Sequence, residues 1–124
     1  MDFAALVNSG QTLVGYLDQA GMHPRAAVWV HSSDTDTWRL WIVPPRTVAD
    51  KHEFYRRLSE TISEHRTDLP NIDASDTQMT RDDHPAIRAL SRIARVEPFG
   101  AISIQSSMYN GVFLSDAIII RMAL

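Results

Sequence analysis

The chain has 124 residues, of which 44% are hydrophobic and 22% are charged, as is typical of a soluble globular domain. It contains no cysteine, which excludes disulfides and thiolate metal sites, and its formal net charge of −3 argues against binding nucleic acid by bulk charge. No apolar run approaches the roughly 20 residues of a membrane span, so we expect a single cytoplasmic domain over residues 1–124, without membrane association.

The first predicted element is an amphipathic helix over residues 2–20, whose apolar side chains recur at helical spacing. Gly10 lies on the same stripe, where the missing side chain permits another backbone to approach closely. Gly21 and the following His23-Pro24 mark the end of the helix. We expect this helix either to cover a sheet or to pair with its copy in a dimer.

A tryptophan-rich hairpin over residues 26–43 follows, and it holds all three tryptophans. Its two strands are predicted to flank a five-residue polar loop, Ser32–Asp36, which pairs Trp29 with Arg39. One face of this hairpin is then a core face, carrying Val28, Val30, Trp38, Leu40 and Ile42. The other face is amphipathic and carries Ala27, Trp29, His31, Arg39 and Trp41.

A second helix is predicted to begin at Thr47 or Asp50 and to end near His65–Thr67, with a buried stripe at i, i+4 and i+8. That stripe consists of Phe54, Leu58 and Ile62. Polar residues interrupt the next segment, 70–83, in which we expect one short strand around 76–80. A third helix is predicted over Pro85–Arg95, because proline favours the first turn and carboxylates precede it.

The C-terminal segment is predicted to form a second hairpin from Ala101–Gln105 and Ala117–Arg121. Asn110-Gly111 favours a tight turn that pairs Tyr109 with Val112, and the alternative is a longer loop over 106–116. The run of three isoleucines at 118–120 is apolar on both faces and therefore indicates a central strand. The order α-ββ-α-(β)-α-ββ predicts an α+β fold with a mixed or antiparallel sheet of four to five strands.

The sequence contains none of the common signatures of a metal or cofactor site. The histidines lack chelating spacing, and Asp82, Asp83 and His84 are explained as the start of a helix. Ser32–Asp36 lacks the glycine and the distal glutamate of a calcium loop. Glycine-rich phosphate loops and the Gly-x-Ser-x-Gly motif do not occur. We therefore predict no metal and no cofactor.

Two surfaces are candidates for function. On the amphipathic face of the first hairpin, aromatic and arginine side chains indicate a partner-binding surface, unless the first helix covers that face. These residues are Trp29, His31, Arg39 and Trp41. A basic stripe on the third helix is a candidate contact for an anion or a nucleic acid, and its alternative explanation is a solvated helix face. The stripe consists of Arg88, Arg92 and Arg95.

The sequence thus predicts a non-catalytic protein-interaction domain that forms a homodimer or belongs to a larger cytoplasmic assembly of bacterial type. One alternative is a small hydrolase or transferase with its site between the two hairpins. We expect such an enzyme to hold His31, His52 or His84 beside a carboxylate in a deep pocket. The other alternative is a nucleic-acid accessory protein that uses the arginine stripe.

Overall fold

The computed structural model describes residues 2–48, 50–96 and 100–124. These residues form three helices, seven strands and one 3-10 turn, at Ala74–Asp76. The helices are α1 (Phe3–Gln19), α2 (Lys51–Glu64) and α3 (Pro85–Ile93). The strands are β1 (Ala26–Ser32), β2 (Thr37–Val43), β3 (Thr77–Met79), β4 (Ile102–Ile104), β5 (Ser107–Tyr109), β6 (Val112–Leu114) and β7 (Ala117–Met122).

Five of the strands form one mixed sheet in the order β3-β2-β1-β7-β4, and β5 and β6 form a separate two-stranded ladder. Only the pairing of β3 with β2 is parallel; the other ladders among the described strands are antiparallel. The predicted α+β class and the mixed sheet are therefore confirmed, as is the short strand expected near residue 78.

The two faces of the sheet bury separate hydrophobic cores. Helices α1 and α2 cover one face of the sheet. The side chains buried between them and the sheet form the first core, which includes Leu6, Leu13, Trp29, Leu40, Phe54, Leu58, Ile118 and Ile120. Helix α3 and the β5-β6 hairpin cover the second core, which includes Val28, Val30, Val43, Ile87, Leu90, Leu114, Ile119 and Met122. The three isoleucines of β7 alternate between these cores, which confirms the predicted central position of that strand.

The register of the first hairpin differs by one residue from the prediction. The loop comprises the four residues 33–36, so Trp29 pairs with Leu40 instead of Arg39. Asp36 adopts a left-handed conformation with φ of 51°, which aspartate tolerates and which lets the chain reverse within the shorter loop. Because a slip of one residue turns every side chain of one strand to the other face, both predicted faces of this hairpin are wrong.

The indole of Trp29 joins α1 to the sheet. This side chain is completely buried, and its Nε1 donates a hydrogen bond of 2.7 Å to the main-chain carbonyl of Leu6. A Cβ atom on Gly10 would lie 2.8 Å from that nitrogen and 3.0 Å from Cγ1 of Ile120. The close approach predicted at Gly10 is confirmed, although side chains occupy the space where we expected a backbone.

The second hairpin combines the two alternatives that the sequence left open. Asn110 and Gly111 form a tight turn with positive φ, and Tyr109 pairs with Val112 as predicted. Between this tip and the β4-β7 ladder the pairing is interrupted, and the Asp116 carboxylate accepts a hydrogen bond of 3.1 Å from the main-chain N–H of Ser106. Because it is not paired with the five-stranded sheet, the β5-β6 hairpin forms an arm that packs over α3.

The third helix begins at Pro85 as predicted but is shorter than predicted. It ends at Ile93 rather than Arg95, since Ala94 is already extended. At its start, the imidazole Nδ1 of His84 accepts a hydrogen bond of 3.2 Å from the main-chain N–H of Ala86, so the cap is a histidine and not a carboxylate. Asp50 caps α2 as predicted, with its carboxylate accepting from the main-chain N–H of Glu53.

Substituting Gly10 with alanine tests the contact with Trp29. In an open helix this change is stabilising by about 1 kcal/mol. Because the new methyl group would meet the anchored indole, we expect Gly10→Ala to lower the free energy of unfolding by about 1–3 kcal/mol in urea denaturation. Gly15→Ala is the matched control, since a Cβ there meets nothing within 4 Å, and it should stabilise the chain. Equal effects of the two variants would contradict this account.

A partly buried ion pair joins the end of α1 to β7. The Arg121 guanidinium donates two hydrogen bonds of 2.7 Å to the Asp18 carboxylate and one of 3.3 Å to the main-chain carbonyl of Pro24. Desolvation by burial opposes ionisation of Asp18. The hydrogen bonds and charge of Arg121, with a smaller contribution from His23, outweigh that effect and lower the pKa of Asp18 below its usual value of 3.8.

The Asp18→Asn variant should therefore show a pH-dependent loss of stability. A carboxyl group with a lowered pKa in the folded state stabilises the fold above its unfolded pKa, and this contribution disappears as the pH falls through the folded value. We expect the variant to lose about 2 kcal/mol at neutral pH, with the difference from wild type shrinking below about pH 4. Asp34→Asn, in the exposed hairpin loop, is the control; a pH-independent difference for Asp18→Asn would contradict the role of its charge.

Candidate functional site

The four residues predicted as one partner-binding surface lie on two faces of the sheet. Trp29 is completely buried in the first core, and His31 lies on the same face. Arg39 and Trp41 lie on the opposite face, where Trp41 packs against the second core with its ring centroid 5.0 Å from that of His84. The shared surface is therefore a wrong prediction, and its physical cause is the register of the hairpin.

The arginines of the third helix are also arranged differently from the prediction. Arg88 and Arg92 are exposed and lie one turn apart on α3, but Arg95 follows the end of the helix and does not extend the stripe. Arg92 and Arg95 line a small cleft of about 290 Å³ beside Met122 and Leu124. A role for the three in binding an anion or a nucleic acid stays a prediction.

A cleft lies between the start of α1 and the end of the sheet, and we call it the β4 cleft. It has a volume of about 610 Å³. Its walls come from α1, β2, β4 and the connections around β7: Phe3, Leu6, Trp38, Ser103, Ile104, Gln105, Ser106, Asp116, Ala117 and Ile118. Phe3 is about half exposed at its mouth, so the cleft offers an apolar surface at an edge of the sheet.

The two edges of the sheet differ in how their outer backbone groups are satisfied. On β3, the Met79 N–H donates to the hydroxyl of Tyr55 at 3.0 Å, and the Thr77 carbonyl accepts from the Arg39 guanidinium at 3.0 Å. On β4, the outward-facing groups form no hydrogen bond with any other residue that the structure describes. Within the described chain the β4 edge is thus available to an additional strand, whereas side chains occupy two outer groups of the β3 edge.

Apolar side chains are exposed near the same edge and on the adjoining arm. Ile102 of β4 is 37% exposed. Met108 and Phe113 form a cross-strand pair on the outer side of the β5-β6 arm, and they are 59% and 58% exposed. Side chains on the inner side of the arm, such as Leu114, are buried against the second core. The outer side of the arm therefore presents an apolar pair without a covering element in the described chain.

A chain of polar side chains connects the two hairpins. The Nδ1 atom of His31 lies 3.1 Å from Oγ of Ser115, and its Nε2 lies 2.8 Å from Oδ1 of Asp36. The imidazole also packs against Trp38, with ring centroids 5.0 Å apart. A hydroxyl, an imidazole and a carboxylate in this order are the groups of nucleophilic catalysis, although the Asp36 side chain is 92% exposed.

A second cleft, which we call the basic cleft, lies at the opposite side of the sheet. It has a volume of about 470 Å³ and forms where β2 and β3 end and α2 begins. Four cationic side chains line it: Arg25, Arg46, Lys51 and Arg81. Its apolar lining comes from Pro44, Pro45, Val48 and Met79, and Asp82 is its acidic member.

Two of these four cations are bound to carboxylates. The Arg25 guanidinium donates to Asp82 at 2.9 Å and to the main-chain carbonyl of Pro44 at 3.0 Å. The Arg81 guanidinium forms two hydrogen bonds of 3.0 Å with Asp83. The hydrogen bond from Arg25, together with the charges of Arg25, Arg46 and Arg81, lowers the pKa of Asp82 against the opposing effect of desolvation.

In residues 2–48, 50–96 and 100–124, no group of three or more histidine, aspartate or glutamate side chains is arranged to hold a metal ion. The helices of the same ranges include none that is both long and apolar enough to cross a membrane.

Comparisons with protein-family models, with curated proteins and with solved structures found no match for this chain. A proposal for the function of this chain therefore depends on the geometry of its clefts and of the edges of its sheet. Sequence reasoning reached His31 as a candidate but missed its hydrogen-bonded partner Ser115, which lies far along the chain.

Proposed function

We propose that this chain is a non-catalytic interaction domain that forms a homodimer through the outer edge of β4. The observation that carries the proposal is the contrast between the two edges of the sheet. Tyr55 and Arg39 satisfy two outer groups of β3, whereas those of β4 have no hydrogen-bond partner in the described chain. An unprotected edge strand is a ready template for pairing with another strand.

A second copy of the chain is the partner that suits this edge. Two antiparallel β4 strands related by a twofold axis at Ser103 would place Ile102 of each copy opposite Ile104 of the other. Directly opposed apolar side chains stabilise an antiparallel pair, and a twofold interface forms every contact twice. Joining the two sheets would also bring the β4 clefts of both copies to the interface. The interface would then bury more surface than the three residues of β4 provide alone.

Charge substitutions at Ser103 test both the edge and its symmetry. Its side chain is exposed at the centre of β4, so two identical charges would face each other across the axis. We expect the wild type to sediment with twice the mass of the 14.0 kDa chain, and Ser103→Lys and Ser103→Glu to sediment as monomers. Mixing the two variants should restore a dimer, because opposite charges then meet.

The matched control is Ser59→Lys, which adds the same charge at an exposed position of α2 and should leave the dimer intact. A wild type that remains monomeric in analytical ultracentrifugation up to about 1 mM would end the homodimer proposal. A Ser103→Lys protein that still dimerises would place the interface elsewhere. If the wild-type chain isolated from its own cells instead carries a different bound protein, and substitution of Ser103 removes that protein, the β4 edge serves a larger assembly.

A second candidate function rests on the contacts of His31. We infer a serine hydrolase activity as the alternative, because Ser115, His31 and Asp36 supply a nucleophile, a base and an orienting carboxylate between the two hairpins. Ser115 Oγ would attack an ester carbonyl while its proton passes to Nδ1 of His31 and then to the leaving alcohol. Water would hydrolyse the acyl-serine and return the free hydroxyl.

Hydrolysis of p-nitrophenyl acetate distinguishes this alternative. If the serine is the nucleophile, Ser115→Ala should lower the rate by about a hundredfold or more, and a fluorophosphonate probe should label the wild type only. Ser33→Ala, in the exposed loop of the first hairpin, is the control and should retain full activity. Equal rates for wild type and Ser115→Ala would exclude the hydrolase, and they would leave the dimer experiment unaffected.

A further inference from the structure

We infer that the basic cleft binds a phosphate monoester of a small organic molecule. The inference concerns the side of the sheet opposite to the β4 edge, so it is independent of the proposed dimer. It rests on the unmatched charges of the cleft, on its apolar wall and on its place in the fold.

The charges of the cleft match a doubly charged anion. Arg25 is paired with Asp82, and Arg81 with Asp83. Arg46 and Lys51 are exposed and form no hydrogen bond or ion pair with the described residues, although Arg46 contributes to the electrostatic environment of Asp82. The two remaining positive charges correspond to the charge of −1.5 to −2 that a phosphate monoester carries near neutral pH.

The wall of the cleft provides a place for the organic part of such a ligand. Val48 and Pro44 are buried, while Pro45 and Met79 are partly exposed along the same cleft. A ligand pocket typically combines an apolar lining with a few polar groups that fix orientation. Free phosphate would leave this lining unused, which favours a phosphate attached to an apolar body.

The position of the cleft agrees with the charge of the ligand. β2 and β3 are parallel, and the cleft lies beyond the ends of both strands, a common place for ligands beside parallel strands. Lys51 is the first residue of α2, whose N-terminal end carries the positive pole of the helix dipole, partly offset there by the capping carboxylate of Asp50. Lys51 is also the only lysine in the chain. Apart from the N-terminal amine, a reagent that modifies amines therefore reacts with Lys51 and reports on this cleft.

Titration calorimetry of the full chain with phenyl phosphate, inorganic phosphate and phenol tests the inference. Phenyl phosphate should bind saturably with a stoichiometry of one, more tightly than inorganic phosphate, and phenol should not bind measurably. The double variant Arg46→Gln/Lys51→Gln should weaken phenyl phosphate binding by about tenfold or more, because it removes both unmatched charges. Bound phenyl phosphate should also slow acetylation of Lys51, as read by mass spectrometry.

The matched control is Arg56→Gln/Arg57→Gln, which removes the same two charges from positions of α2 that do not line the cleft. This variant should retain binding within about twofold of the wild type. Equal losses in the two double variants would show only a general attraction of anions to the chain and would overturn the assignment to the cleft. The assignment would also fail if phenyl phosphate showed no saturation up to about 10 mM, or if it bound no more tightly than inorganic phosphate.

Discussion

The packing of the Trp29 indole beneath α1 is the constraint on which the rest of the structure depends. An indole can be fully buried at little cost only if its N–H has a partner, and the Leu6 carbonyl supplies that partner for Trp29. The helix can come this close only because Gly10 has no side chain. Once Trp29 faces α1, the pleat of β1 directs His31 toward the same side and Val28 and Val30 toward α3.

The remaining elements follow from a sheet that is covered on both faces. β7 contributes isoleucines to both cores and therefore has to lie inside the sheet, with β4 as its outer neighbour. Its Arg121 projects toward the end of α1, where Asp18 neutralises it. The start of α1 then stands beside β4, and the space left between them is the β4 cleft. The β4 cleft is thus a geometric result of how α1 packs on the sheet beside its outer strand.

Much of this fold could be predicted from the sequence, because the deciding signals are local. The apolar stripe of α2 and the Asn110-Gly111 turn each act within a few residues. The hairpin register could not be predicted in the same way, since Val28, Trp29 and Val30 are all buried and no polar alternation distinguishes the two faces. The polar chain of His31 and the basic cleft were missed because both assemble residues that are distant in sequence.

The closed β3 edge limits what an open β4 edge can build. A sheet that is open on both sides can add copies indefinitely, as fibrils do. Here the Tyr55 hydroxyl and the Arg39 guanidinium occupy two outer backbone groups of β3, which favours strand addition at the β4 edge over the β3 edge. The proposed twofold pairing at β4 would occupy this edge in both copies, and growth would stop at two subunits. Protection against polymerisation would then depend on two side chains at the edge opposite to the proposed contact.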